Sequence, residues 1–416
     1  MDSLLAEHPV DEVPAKSAQR QVLGLLLGLY IAQGIPVGLA FQAYPTLLRN
    51  LGASLDLIAL TPLATLPWVA KLFWAALIEN RWSPRLGRRR SWIVPLQAGS
   101  VLALLGMALV PFTVASMGLL LGFIALLSLF CASQDVAVDG LAADRLPSSG
   151  LGQVNVLQVG GFLLGMLLGG PGTLMLFEQC PPSVVFICLA GAMLLCSLPV
   201  LFWREPAPVA ALPRARLWQF FRRRHALRMT VLTLLVALAG SVFFGLARLI
   251  LVDAGWSLGQ VGALTGIGQL LTILLGCLAA AWLLGRFNCW TTLLVGFALL
   301  AVAGLIWVDL AVQPQQAEAW RVGLGLVIGG LGTGVVSVAS YTLGMRYAQQ
   351  GAQPGTDFSV FQGLQTLGEI LITSLALGVA AHWGYASGLG VGLLALGLAL
   401  LQALFVRRST AAQPLD

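Results

Sequence analysis

Five ionisable residues interrupt long apolar runs in this chain, and each needs a partner or a chemical role to offset its placement. They are Lys71, Asp135, Asp139, Arg248 and Glu369. At the centre of a membrane helix such a group costs at least about 2.5–3.5 kcal/mol. Asp135 and Asp139 are four residues apart, so they share one helix face. Counted at 1.5 Å per residue along regular helices, Lys71 and Asp139 fall at similar depths from one end of their runs. The spacing therefore predicts a Lys71–Asp139 ion pair, which could also do no more than hold two helices together. Asp135 lies deeper and is left without a cation. A carboxyl desolvated there can take up a proton near neutral pH. Glu369 falls near the middle of its own run, with Gln362 and Gln365 on neighbouring turns. It is a candidate proton carrier or substrate contact, or a structural hydrogen-bond partner. Asp135, Asp139 and Glu369 are thus the proton-coupling candidates. Arg248, near the end of a run, could attract an anion or extend its head to water.

The elements that must hold these groups are helices crossing a membrane. Only 10% of the 416 residues are charged, against about 25% in soluble domains. The apolar fraction is 58% and the mean hydropathy +0.88. Residues 91–134 and 254–285 carry no charge at all, and a crossing takes about 20 apolar residues. Apolar runs fall at 22–47, 55–77, 92–112, 117–143, 153–176, 183–203, 229–251, 258–284, 291–310, 320–345, 357–381 and 387–406. The fold class is an all-α polytopic membrane protein with twelve transmembrane helices. The ten-residue alternation of membrane barrel strands is absent.

Nineteen of the 23 Lys and Arg residues fall in loops and tails on one side, and only Arg49 and Arg321 fall on the other. Positive charge marks the cytoplasmic side, so both termini are expected there. Trp82, Trp92, Trp203, Trp256, Trp290, Trp320 and Trp383 lie at run ends, where interfacial anchors belong. The net charge of +6 is then a matter of topology, and no nucleic-acid partner is expected. The first residues carry Asp2, Glu7, Asp11 and Glu12 and do not read as a signal peptide. Cys180 alone falls in an outer loop, so no disulfide is expected. His8, His225 and His382 lie outside the runs, and neither a metal site nor a cofactor is expected. The lysines are Lys16 and Lys71, neither preceded by glycine, which excludes a phosphate-binding loop. Transport would have to use an ion gradient, run downhill or borrow a separate ATPase.

The longest break, 204–228, carries Pro206, Pro208 and Pro213 and then Leu217-Trp-Gln-Phe-Phe-Arg-Arg-Arg, a short amphipathic piece expected on the inner leaflet. It separates 22–203 from 229–406, two sets of six helices, with tails at 1–21 and 407–416. The halves resemble each other. Leu51-Gly-Ala-Ser-Leu recurs as Ala254-Gly-Trp-Ser-Leu, and Asn155, Gln158 and Gly161 are spaced like Gln362, Gln365 and Gly368. Parallel six-helix repeats are a transporter architecture.

The loop Ile78-Glu-Asn-Arg-Trp-Ser-Pro-Arg-Leu-Gly-Arg-Arg-Arg90 resembles the signature of the major facilitator superfamily, Gly-x-x-x-Asp-Arg/Lys-x-Gly-Arg-Arg/Lys. Asn80 and Arg81 stand at the Asp-Arg position, and Gly87, Arg88 and Arg89 supply the rest. Ala76 replaces the first glycine, Asn80 replaces the acid, and four extra residues precede Gly87. The resemblance implies a cytoplasmic latch built from Lys71, Glu79, Asn80, Arg81, Gly87, Arg88 and Arg89, with the acidic role open to Glu79. The segments Tyr30-Ile-Ala-Gln-Gly-Ile-Pro-Val-Gly38, Tyr44-Pro-Thr-Leu-Leu-Arg49 and Leu66-Pro-Trp-Val-Ala-Lys-Leu-Phe-Trp74, running into Glu79-Asn-Arg-Trp82, are similar to the siderophore-permease branch, a relative of the muropeptide permeases, and Ser133-Gln-Asp-Val-Ala-Val-Asp139 resembles the Gln-Asp segment of those muropeptide relatives.

That resemblance implies a bacterial inner-membrane importer of an iron–siderophore, with protons and membrane lipids as further partners, working as a monomer. A muropeptide or other small amphipathic solute is the alternative. The superfamily's cavity-facing helices would bring Tyr30, Gln33, Gln134, Phe243, Phe244, Arg248 and Tyr341 to the substrate, with Gln365 beside Glu369. Gly34 and Pro36, and Pro62 and Pro67, would loosen the first two helices. A membrane-embedded lipid transferase, built on Asp139, Asp144 and Arg145, is the competing class, and no enzyme is expected.

Overall fold

With no water in the hydrocarbon layer, a crossing segment must satisfy its N–H and C=O groups within itself, and this chain does so with helices. The computed structural model describes residues 16–51, 61–205, 214–223, 225–256, 260, 263–313 and 318–410. Most of the N-terminal tail, Gly52–Leu55 and Ser257–Leu258 of the loop repeat, Pro206, Pro208, Pro213, Arg224 and the end of the C-terminal tail lie outside these residues. So do the side chains of Arg49 and Phe244.

Among the described residues, ten helices are long and apolar enough to cross a membrane, and Leu63–Phe73 and Ala226–Val236 are shorter apolar helices. Among the described residues, each of the twelve apolar runs contains helix. Span one is Lys16–Gly38, a π-helical turn Leu39–Ala43 and Tyr44–Asn50. Span two is broken into Thr61–Thr65, Leu66–Ala70, Lys71–Phe73 and Ala75–Asn80, the first and third being 3-10 turns. Spans three and four are Arg90–Leu109 and Met117–Arg145. Span five runs through Leu151–Leu167, a π turn Leu168–Gly172 and Thr173–Phe177. Span six is Pro182–Phe202 and span seven Ala226–Asp253. Span eight is Ala263–Gly268 with Gln269–Arg286. Spans nine to twelve are Cys289–Val312, Ala319–Gln349, Pro354–Trp383 and Tyr385–Thr410.

Span one packs on spans four, five and six, and span three on four and six. Likewise span seven packs on eleven and twelve, and span ten on eight and nine. The first six spans meet the last six along two seams. Span five lies on spans eight and ten, and span eleven on spans two and four. Lipid tails offer no hydrophobic drive between helices, so close packing through small residues must hold them together. A Cβ on Gly34 would collide with the Phe162 carbonyl, and one on Gly165 with the Ile31 carbonyl, so spans one and five touch backbone to backbone. Gly34, expected to loosen span one, is thus spent on this contact. The break in regular winding comes later, at the π turn. In span two the prolines do coincide with the break: Pro62 lies in a 3-10 turn and Pro67 at the start of a short helix.

Outward faces are apolar, with Leu102, Leu109 and Leu195 among the exposed residues. The linker piece Leu217–Arg222 is a short helix with one face on the protein. Phe220 is buried, with its ring 5.8 Å from that of Tyr347 in span ten, while Trp218 and Phe221 remain exposed.

Candidate functional site

The buried charges gather where span two meets spans four and eleven. The Lys71 ammonium pairs with the Asp135 carboxylate and donates a further hydrogen bond to Gln362 Oε1, so one cation joins the two sets of six spans. Both ionic side chains are buried, and Lys71 also sits 5.3 Å from the Trp68 ring centre. This corrects the expected Lys71–Asp139 pair. A depth count along regular helix does not hold here, because Lys71 begins a 3-10 turn, which rises about 2.0 Å per residue. The long lysine stem supplies the rest of the reach. Asp135 is therefore not the carboxylate without a cation.

Asp139 takes that place. Its Oδ1 accepts hydrogen bonds from Tyr30 Oη at 3.0 Å and Gln158 Nε2 at 2.8 Å. Its Oδ2 is buried without a hydrogen-bond partner among the described residues. While Asp139 is ionised, that oxygen is a buried acceptor with no donor to meet it.

Next to this cluster stand amides with unmet hydrogen bonds. Both polar ends of Gln33 and of Gln134, and Oε1 of Gln365, are buried with no partner among the described residues. Gln33 is three residues from Tyr30, Gln134 adjoins Asp135, and Gln365 is three residues from Gln362. An unsatisfied buried amide is destabilising by about 1–3 kcal/mol, so these five atoms each lack something that would offset their burial. Tyr341 is half-buried with its ring edge-on to Phe358 at 5.8 Å. Glu369, half-buried, lies four residues beyond Gln365 on span eleven.

Two predicted contacts are not brought to this group. The Phe243 ring packs against Gly304 of span nine and Gly392 of span twelve, in the interior of the last six spans. Arg248 is exposed and donates to the Thr265 carbonyl at 3.3 Å.

The Arg-rich end is shut by a second cluster. Glu79 Oε1 accepts from Arg89 Nη1 and Nη2, both at 3.0 Å, and from the Gly355 N–H at 2.9 Å. Its Oε2 accepts from the Thr356 hydroxyl at 3.2 Å. Gly355 lies in the first turn of span eleven, whose N–H groups have no partner within the helix and whose dipole favours an anion. Glu79, next to Asn80, is the acid that meets Arg89 and the start of span eleven here. Arg89 also reaches Asp144 at 2.7 Å, and Arg88 lies 3.4 Å from Glu79. Burial works against the Arg89 charge, but Asp144 and Glu79 outweigh it and raise its pKa. Arg88 goes the other way, lowered by burial and then by Arg89 beside it. Gly87 has φ +96°, and a Cβ there would strike Glu205. That carboxylate accepts from the N–H groups of Arg89 and Arg90 at 2.8 and 3.0 Å, capping span three. Arg81 is exposed and its side chain forms no ion pair among the described residues.

Several participants were not predicted. Gln349 donates to the Ala143 and Leu146 carbonyls at 2.8 and 2.9 Å and accepts from Ser148, tying span ten to the end of span four. Asn155 donates to Thr342 across the other seam at 3.3 Å. The repeat marks Asn155, Gln158, Gln362 and Gln365 as equivalent positions in pairs; an amide in an apolar run is their signal.

Among curated relatives, the anhydromuropeptide permease of Escherichia coli K12 is 26% identical over 366 residues, covering 85% of this chain and 73% of the permease. An uncharacterized membrane protein of Saccharomyces cerevisiae is 33% identical over 200 residues, but these are 41% of this chain and only 36% of the yeast protein. Among solved structures, a bacterial homologue of the iron transporter ferroportin in an outward-facing state superposes with a TM-score of 0.70 at 16% identity, over 94% of this chain and 99% of the other. At that identity the likeness is one of fold. The family model of the Major Facilitator Superfamily matches residues 26–373, and with a helical fold among the described residues and a charged loop between spans two and three, the chain belongs to that superfamily of transporters.

Proposed function

We propose that this protein imports a small amphipathic solute of the muropeptide type across a bacterial inner membrane by alternating access, coupled to protons. The observation that carries the mechanism is the Lys71 bridge, which joins Asp135 of the first six spans to Gln362 of the last six. A buried cation shared across the seam ties the state of a carboxylate to the relative position of the halves. The halves are 22–203 and 229–406. Asp139, one turn from Asp135, carries the proton, and Glu369 has the same role in the second half. When Asp139 takes up a proton, the repulsion between the two carboxylates is relieved. Asp135 then holds Lys71 more firmly, and the Lys71–Gln362 bond is the one free to exchange. Gln33, Gln134 and Gln365 meet the amide and hydroxyl groups of the solute, with Tyr30 and Tyr341 against its apolar parts.

The substrate class is supported by the permease relative and by the unmet amides. The relatives support the muropeptide-type alternative rather than the iron–siderophore that the sequence resemblance implied. With the Arg-rich end facing the cytoplasm, the closed Glu79–Arg89 cluster corresponds to an outward-directed state. The test is uptake of an anhydromuropeptide into vesicles under an imposed pH gradient. Wild type should concentrate it, whereas Asp139→Asn and Glu369→Gln should exchange it without concentrating it. Undiminished accumulation by both variants would remove them as proton carriers, and absence of uptake by wild type would remove the substrate class.

A further inference from the structure

The linker between the halves is gripped by two amides, one from each set of spans. Asn80, the last residue of span two, donates from Nδ2 to the Ala215 carbonyl and accepts the Ala215 N–H at Oδ1, both at 2.7 Å. Gln353, just before span eleven, does the same to the next residue. Its Oε1 accepts the Arg216 N–H at 2.6 Å, and its Nε2 donates to the Arg216 carbonyl at 3.0 Å. Arg216 is extended, with φ −143° and ψ 130°. In an extended chain, successive residues present their N–H and C=O groups to opposite sides. The peptide therefore lies between the two amides like a strand between neighbours.

This explains the residue at position 80. An aspartate there has no N–H to offer the Ala215 carbonyl and would set a charge against it. Asparagine supplies one donor and one acceptor, the pair a backbone residue needs. Downstream, the linker is fixed to the last six spans. Phe220 is buried against Tyr347, and Arg223 donates to Asp357 at 2.6 Å and to the Tyr347 carbonyl at 2.5 Å, its guanidinium 4.0 Å from the Tyr347 ring. If the Arg-rich end opens, span two and the start of span eleven separate. The strand cannot follow both, and its firmer anchorage lies with span eleven.

We propose that Ala215 and Arg216 form a gate strand: clamped by Asn80 and Gln353 when the Arg-rich end is shut, and released from Asn80 when it opens. The proposal rests on the alternating-access reading but not on the identity of the solute. It is tested on the full-length protein in lipid nanodiscs by site-resolved trypsin cleavage after Arg214 and Arg216. These bonds should resist in wild type. Cleavage should quicken about tenfold in Asn80→Ala and in Asn80→Asp, since each loses hydrogen bonds to the strand and cleavage follows the open population. Glu79→Gln, which does not touch the linker, should quicken it too. Gln353→Ala gives the same reading from the other half, should Asn80→Ala fail to elute as a single species. Equal rates in all variants would overturn the proposal. So would acceleration by Asn80→Ala without acceleration by Glu79→Gln, which would make the contact an anchor and not part of the gate. Because no solute is used, a wrong substrate assignment leaves these rates unchanged.

Discussion

Replacing Lys71 with methionine keeps much of the side-chain volume and removes the charge that Asp135 depends on. Two outcomes are open to the carboxylate, and their costs are similar. If it stays ionised without its buried partner, the loss is about 3–5 kcal/mol. If it takes up a proton at pH 7, neutralising an ordinary carboxyl of pKa about 3.9 costs at most about 4 kcal/mol. Lys71→Met should therefore destabilise the folded protein by about 3–4 kcal/mol in chemical unfolding of the detergent-solubilised protein. Asp135→Asn in the same chain removes the charge at issue, so the double variant should regain most of the loss, with a coupling of about 3 kcal/mol.

Gln362→Ala leaves the ion pair in place and removes one hydrogen bond to a charged group, for about 1.5–3 kcal/mol. Additive effects of Lys71→Met and Asp135→Asn would refute the pairing, and with it the role of the 3-10 turn in bringing Lys71 to Asp135.

The unmet amides give a prediction of opposite sign for stability and for transport. Gln33→Leu should leave unfolding unchanged or raise stability by about 1–3 kcal/mol, since a buried unsatisfied amide disappears. The same change should weaken apparent solute affinity in uptake assays about tenfold; a variant that is both less stable and normally active would contradict the assignment. Gly34→Val should abolish a monodisperse folded protein, because its side chain meets the span-five backbone, which cannot yield as a side chain can. Gly24→Ala, whose Cβ would meet nothing within 4 Å, should fold normally in the same size-exclusion assay, helped by alanine's better helix propensity.

The twelve helices are legible in the sequence because apolar length and arginine placement are local properties, and membrane burial leaves few ways to satisfy them. What depends on winding is not. Counting span two as one regular helix assigns Lys71 to Asp139, whereas 3-10 turns carry the lysine to Asp135. Rotation about the axis is equally hidden: Phe243 is apolar among apolar residues, and no polar face shows that it points at Gly304 and Gly392 instead of the centre. The loop after span two is half legible. A missing acid at position 80 draws attention to Glu79, which the structure places against Arg89 and the start of span eleven, but nothing local could show that Asn80 meets the linker, since Ala215 lies 135 residues away.

The repeat reaches further than the loop and amide spacings alone suggest. Asn155 and Gln362 occupy equivalent places in spans five and eleven, and each bonds across a seam, Asn155 to Thr342 and Gln362 to Lys71. Their neighbours Gln158 and Gln365 are equivalent too, yet among the described residues only Gln158 meets a carboxylate, Asp139. An amide in an apolar run is expensive unless it is hydrogen-bonded, and at this pair of repeat positions a bond reaches across a seam in each half. The asymmetry between Gln158 and Gln365 then has a physical reading. The first half holds Asp139 with its own amide, while in the second half Gln365 Oε1, one turn before Glu369, has no partner among the described residues.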